Sequence, residues 1–270
     1  MRVLALECGF MLGSFGGGVL WAWREAGLDE KSFDIYAGSS AGAWNIAFFV
    51  ADQMDAGLRM WTKHMPNGFL RYGGARGVSC DMQYLNRVLR YEEFLRCDAF
   101  AACPSPIYVA LSNAETGEAE YVLLNDISDP ILILLASSRM PYVCERIEGV
   151  SDVYYDGGLI APIPICPPFM TEDDTLVIIT SAPSGFRIES FFWKLASMLR
   201  WKDPGVKRLI ANRPRHTTLV MEAIEQRRNT IVIRPPQKLP IGWLTQDPKR
   251  IEAAVEIGKQ VGRDTISLFT

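Results

Sequence analysis

Two short stretches of this chain carry side chains that could perform acyl chemistry. Gly38-Ser39-Ser40-Ala41-Gly42 has the spacing Gly-x-Ser-x-Gly, with an apolar run before it and a helical run after it. A serine in that position sits on a sharp strand-to-helix turn, and Gly38 and Gly42 keep side chains out of the crowded space. The turn presents the hydroxyl at a helix N-terminus, where backbone N–H groups and the dipole favour developing negative charge. A phosphate-binding or purely structural Gly/Ser turn has the same composition. The second stretch is Asp156-Gly157-Gly158, which follows the strand-like Val153–Tyr155. Two glycines after the aspartate let its carboxylate emerge at a sheet edge with little steric cover. On spacing alone, Asp-Gly-Gly is equally an ordinary turn.

A serine nucleophile needs a base. The order Ser40…Asp156…His216 is that of an α/β-hydrolase triad, yet only 39 residues precede Ser40, too few for the strands that such a fold places before its nucleophile. His216 lies in the basic stretch Arg213-Pro214-Arg215-His216 and reads as a surface histidine, while His64 follows Lys63 with no neighbours that favour catalysis. Asp156 is the better base. Partial burial would raise its pKa from about 4, and a direct hydrogen bond would orient the serine for attack.

The elements that must position these residues follow from the apolar pattern. Val3-Leu4-Ala5-Leu6 reads as a buried strand, preferred over a signal peptide because Glu7 and the glycines from Gly9 to Gly18 interrupt any apolar helix. Further strands are expected at Phe33–Ala37, Ile107–Ser112, Tyr121–Leu124, Val153–Tyr155, Leu176–Thr180 and Thr230–Arg234. Helices are expected at Gly18–Ala26, Ala43–Met54, Asp81–Arg96, Pro130–Ser137, Ile188–Trp201, Val206–Arg228 and Pro248–Gly262. Strand and helix alternate over the first 55 residues, which points to a parallel sheet covered on both faces. Residues 55–104 read as a mainly helical insertion, and 204–270 as a C-terminal extension of helices and one strand.

Composition narrows the remaining classes. A chain of 270 residues with 49% hydrophobic side chains and a net charge of −3 can bury a large core, and is neither disordered nor built for nucleic acid. Six cysteines without a CxxC pair and only two histidines argue for scattered core thiols of a cytoplasmic protein and against a metal site. No window of about 20 uninterrupted apolar residues suggests a transmembrane helix.

Taken together, these blocks resemble the patatin-like phospholipase family. Gly38–Gly42 looks like its nucleophile elbow, and Asp156-Gly157-Gly158 looks like its aspartate motif. Leu6-Glu7-Cys8-Gly9-Phe10-Met11-Leu12-Gly13 is similar to its glycine-rich oxyanion loop, with Gly18-Val19-Leu20 fixing the register. Softer matches are Ala136-Ser137-Ser138 with Pro141, and the segment from Asn113 to Gly117. The resemblance implies a three-layer α/β fold with a mostly parallel central sheet, one domain over 1–270, and a Ser40–Asp156 dyad without histidine. It also implies oxyanion donation by the N–H groups of Cys8, Gly9 and Phe10, a lipid or acyl-ester substrate, and no cofactor. The chain departs from the family loop where Cys8 and Phe10 replace glycines and Leu12 replaces a basic residue. The alternative is therefore a weakly active or inactive lipid-binding or regulatory protein of the same fold.

Three other features have two readings each. The aromatic helix with Phe191, Phe192, Trp193, Leu195, Met198, Leu199 and Trp201 is core packing or a lipid-facing cap in peripheral membrane contact. Lys207, Arg208, Arg213, Arg215, Arg227 and Arg228 form a solvated helix face or a headgroup site. Cys8 is a reactive thiol or a small buried filler.

Overall fold

Strand β1 (Arg2–Leu6) is buried on both sides, and its side chains alternate between two cores. Leu4 and Leu6 join the larger core with helices α1 (Gly13–Glu25) and α2 (Ala41–Val50), while Val3 and Ala5 meet Leu176, Ile178 and Ile224 on the opposite face. Burial on both faces is why this strand reads as a continuous apolar run. The computed structural model describes residues 1–73, 77–165, 170–185 and 203–269.

β1 pairs in parallel with β2 (Ile35–Ser39) on one side and with β8 (Thr175–Ile179) on the other. β9 (Thr230–Ile233) extends the sheet beyond β8, also in parallel, so the C-terminal segment contributes to the same sheet. On the other flank β5 (Ile107–Asn113) runs parallel to β2, and β6 (Ala119–Leu123) closes the edge antiparallel to β5. The sheet order is β6-β5-β2-β1-β8-β9, with a short strand β7 (Tyr154–Asp156) paired to β5. The protein is thus an α/β structure with a mostly parallel sheet and helices on both faces.

Helix α1 begins at Gly13, earlier than the Gly18 start expected from sequence. Its glycines are there for close packing. Helix α8 (Pro248–Thr265) approaches so closely that a Cβ on Gly18 would lie 2.2 Å from the Val255 carbonyl oxygen. That tertiary contact overrides a helix cost of about 1 kcal/mol per glycine.

The segment after α2 holds α3 (Met54–Arg59), a π-helical stretch Met60–Phe69 and α4 (Met82–Arg87), which continues as a π turn to Glu92, followed by α5 (Asp98–Ala102). It also contains an antiparallel pair, β3 (Leu70–Tyr72) and β4 (Val78–Cys80), that periodicity did not suggest, because three-residue strands are too short to show a period. Helix α6 (Pro130–Ala136) leads to Ser137. Helix α7 (Pro204–Gln226) starts at an Asp203 cap that accepts from the Gly205 and Val206 N–H groups. The aromatic helix expected at 188–201 lies outside the described residues.

Candidate active site

The register of β5 brings the two candidate stretches together. β2 pairs with β5 only as far as Ser39 opposite Ala110. At the next position β7 takes over that edge in the antiparallel sense, with Asp156 opposite Leu111. The edge is the same one, because β6 occupies the other side of β5 from Tyr108 to Ser112. The chain therefore leaves β2 at Ser40 beside the point where β7 ends at Asp156. Ser40 Oγ donates a hydrogen bond to Asp156 Oδ2 at 2.8 Å.

Ser40 is held in a strained backbone conformation, φ 51° and ψ −121°, which costs about 1–3 kcal/mol. Two features hold it there. The Ser40 N–H donates to Ser137 Oγ at 2.8 Å, and Ser137 Oγ donates onward to the Ala110 carbonyl at 2.8 Å. Gly42 lets the first turn of α2 press on β1: a Cβ there would lie 2.4 Å from the Leu6 carbonyl oxygen. Gly38 is on the β2 side of the same turn. Behind the elbow, Asn45 donates to the Gly13 carbonyl at 2.8 Å and accepts from Trp61 Nε1 at 2.9 Å, tying α2 to the start of α1.

Asp156 is buried, and three contacts fix it. Its N–H donates to the Arg139 carbonyl at 2.9 Å, its Oδ1 accepts from the Gly158 N–H at 2.8 Å, and its Oδ2 accepts from Ser40. Gly157 N–H donates to the Ser137 carbonyl at 3.1 Å, so Ser137 braces both halves of the site. Burial pushes the Asp156 carboxyl up to about 6, opposed by its hydrogen bonds to Ser40 and Gly158 and by the charge of Arg213. A carboxyl with that pKa is a stronger base than an exposed aspartate and is still ionised at neutral pH.

The loop after β1 corrects one expectation. The Cys8 N–H donates to the Pro162 carbonyl at 2.9 Å and is not available to an oxyanion. Among the described residues no acceptor meets the N–H groups of Gly9 and Phe10, which leaves those two amides as candidate donors. Phe10 takes φ 48°, the left-handed region, despite its Cβ. A non-glycine residue can hold that conformation at a cost of about 1–2 kcal/mol. The loop is anchored by Glu7, to which sequence alone assigned no role of its own. Its Oε2 accepts from Thr180 Oγ1 at 2.7 Å, the Ser181 N–H at 2.8 Å and Ser181 Oγ at 3.0 Å.

Cys8 is the buried filler of the two readings offered for it. Burial pushes its thiol up to about 12, so it is protonated and unreactive at neutral pH. The five described cysteines are all free thiols. Neither histidine touches the pair. His64 is buried between Tyr84 Oη at 3.1 Å and Glu93 Oε1 at 3.3 Å, and Arg59 neutralises Glu93. His216 is half-buried on α7, and its pKa is lowered by burial and by Arg215 and Arg213. Among the described residues no three His, Cys, Asp or Glu side chains are grouped so as to hold a metal ion.

Two cavities border the Ser40–Asp156 pair. One is lined by Ser40 and by apolar side chains including Trp44, Phe48, Met65 and Leu85. The other, smaller one is lined by Gly9, Asp156, Gly158, Arg213 and Trp243. Phe10 borders both. Arg213 corrects a second reading. It belongs to no solvated face, being 3% exposed, whereas Lys207, Arg208, Arg215 and Arg228 are exposed. The helical spacing of Val206, Leu209, Ile210 and Arg213 was the signal that could have found it.

The chain thus combines an α/β fold, a serine on a strand-to-helix elbow, a buried aspartate beside it and a glycine-containing loop. The family model of the patatin-like phospholipases matches residues 4–168, and the chain belongs to that family of lipid acyl hydrolases. It is 26% identical over 251 residues to the uncharacterized protein YjjU of Escherichia coli strain K12, covering 88% of this chain and 66% of that protein. The crystal structure of VipD from Legionella pneumophila superposes with a TM-score of 0.54 at 12% identity, over 99% of this chain and 67% of that one, a likeness of fold. The chain thus spans about two thirds of the length of each.

Proposed function

We propose that this protein hydrolyses acyl esters of lipids with Ser40 as nucleophile and Asp156 as its base. Ser40 Oγ attacks the ester carbonyl carbon while Asp156 takes the hydroxyl proton. The N–H groups of Gly9 and Phe10 hold the resulting oxyanion. Its collapse breaks the ester bond, and the leaving alkoxide recovers the proton from Asp156. Water then attacks the acyl-enzyme, Asp156 accepts its proton and returns it to Ser40, and the fatty acid leaves. The observation that carries this reading is the 2.8 Å contact from Ser40 Oγ to a buried carboxylate, in the wall of a pocket whose apolar lining matches the chemistry of an acyl chain. Among the described residues no helix is long and apolar enough to cross a membrane.

The test is hydrolysis of a p-nitrophenyl acyl ester by wild type, Ser40→Ala and Asp156→Asn. Both variants are expected to lose about a thousandfold or more. One observation favours the rival, a lipid-binding protein with little turnover: the occupied Cys8 N–H leaves the oxyanion two loop amides. A folded wild type that neither hydrolyses the ester nor reacts with a fluorophosphonate would establish that rival.

A further inference from the structure

The smaller cavity contains a buried cation that the chemistry above leaves unused. Arg213 comes from α7, beyond the stretch 4–168 matched by the family, and its side chain follows the buried stripe of that helix toward the site. Its Nη1 donates to Thr217 Oγ1 at 2.9 Å, its Nη2 donates to Cys8 Sγ at 3.6 Å, and its Cζ lies 5.6 Å from the Trp243 ring centroid. These contacts hold the guanidinium in the cavity wall shared with Gly9, Phe10 and Asp156. Taking a guanidinium out of water costs several kcal/mol. Its neighbours on the stripe are Val206, Leu209 and Ile210, which fill the same kind of space without that cost.

We propose that Arg213 is a positioning residue for the Ser40–Asp156 pair, delivered by the C-terminal segment, whose charge keeps Asp156 ionised and favours an anion at the Gly9 and Phe10 amides. The inference rests on the dyad reading. Asp156 can accept the Ser40 proton only as a carboxylate, and its burial opposes ionisation. The groups that act on it are Ser40 from the elbow, Gly158 from its own turn and Arg213 from α7, while its own charge helps to keep the buried thiols of Cys8, on the first loop, and Cys144, after α6, protonated. Arg213 is the cation in that set. Glu7, the other carboxylate of the loop, is engaged by Thr180 and Ser181.

The experiment follows the Asp156 carboxyl ¹³C signal against pH in wild type, Arg213→Gln, Arg213→Met and Arg213→Lys, with Asp156→Asn to assign it. The ester-hydrolysis pH profile is recorded alongside. The neutral variants are expected to raise the midpoint by about one pH unit, the low end of what a neighbouring cation does to a carboxylate. The acidic limb of kcat/KM moves with it, and Arg213→Lys returns both toward wild type. Arg213→Met keeps an unbranched apolar stem on an otherwise apolar stripe, so it folds even if Arg213→Gln does not. A merely structural arginine would lower Tm and leave the midpoint in place, and an unmoved midpoint in either folded neutral variant overturns the proposal. The titration does not depend on turnover. Ester hydrolysis that survives in Ser40→Ala refutes the dyad reading separately.

Discussion

Asp156→Asn is expected to destroy activity and to make the protein more stable, with a gain that depends on pH. The buried carboxyl is raised from 3.8 to about 6, a difference of about 2 pH units. At ~1.4 kcal/mol per unit, ionising it in the fold costs up to about 3 kcal/mol. The folded state binds the proton more tightly than the unfolded chain, so the wild type loses stability as pH rises from 3.8 through 6, and the full cost is present above that range. Asparagine has no charge to bury. Its Oδ1 can still accept from the Gly158 N–H, and its Nδ2 can donate to Ser40 Oγ, so the contacts of the site persist. Thermal unfolding monitored by circular dichroism should show Tm higher by about 5–10 °C at pH 8, at roughly 2–4 °C per kcal/mol. The gain should shrink to less than about 2 °C at pH 4, where the wild-type carboxyl is already protonated in the fold. An equal gain at both pH values, or a loss at pH 8, would show that burial of this charge is not the cost assigned to it.

Three further outcomes follow from particular contacts. Gly42→Ala places a methyl group 2.4 Å from the Leu6 carbonyl oxygen; the elbow must shift, and activity should fall about a hundredfold with a loss of about 1–3 kcal/mol in urea unfolding. Unchanged activity would refute the packing argument. Leu85→Trp fills part of the apolar cavity, so hydrolysis of long-chain p-nitrophenyl esters should drop at least about tenfold more than that of the acetyl ester, and equal loss would show that the acyl chain lies elsewhere. Cys8 should resist iodoacetamide in the folded protein at pH 8 and react once unfolded, as peptide mass mapping would show, because its thiol is buried and pushed up to about 12. Rapid modification in the folded state would contradict that environment.

Much of the arrangement was legible in the residues themselves. The buried parallel strands were marked by apolar runs, and the elbow by glycines on either side of Ser40. The proximity of Ser40 to Asp156 was not. It arises because β7 continues the β5 edge where β2 ends, a handover between strands 116 residues apart that no local pattern encodes. The roles of Glu7 and Ser137 were hidden for the same reason, since their partners Thr180, Ser181 and Ala110 are brought near only by the sheet. Arg213 was obscured differently. Surrounded in sequence by Arg208, Arg215 and His216, it read as one charge among many, although its place on the apolar stripe of α7 marks it as buried.

The most direct test of the central claim is to treat the folded protein with a fluorophosphonate and identify the modified residue by mass spectrometry. An activated serine beside a working oxyanion site predicts a single adduct on Ser40, formed at least about a hundredfold more slowly in Asp156→Asn. A folded wild type that stays unmodified, or one labelled at Ser40 equally fast without the Asp156 carboxylate, would contradict it.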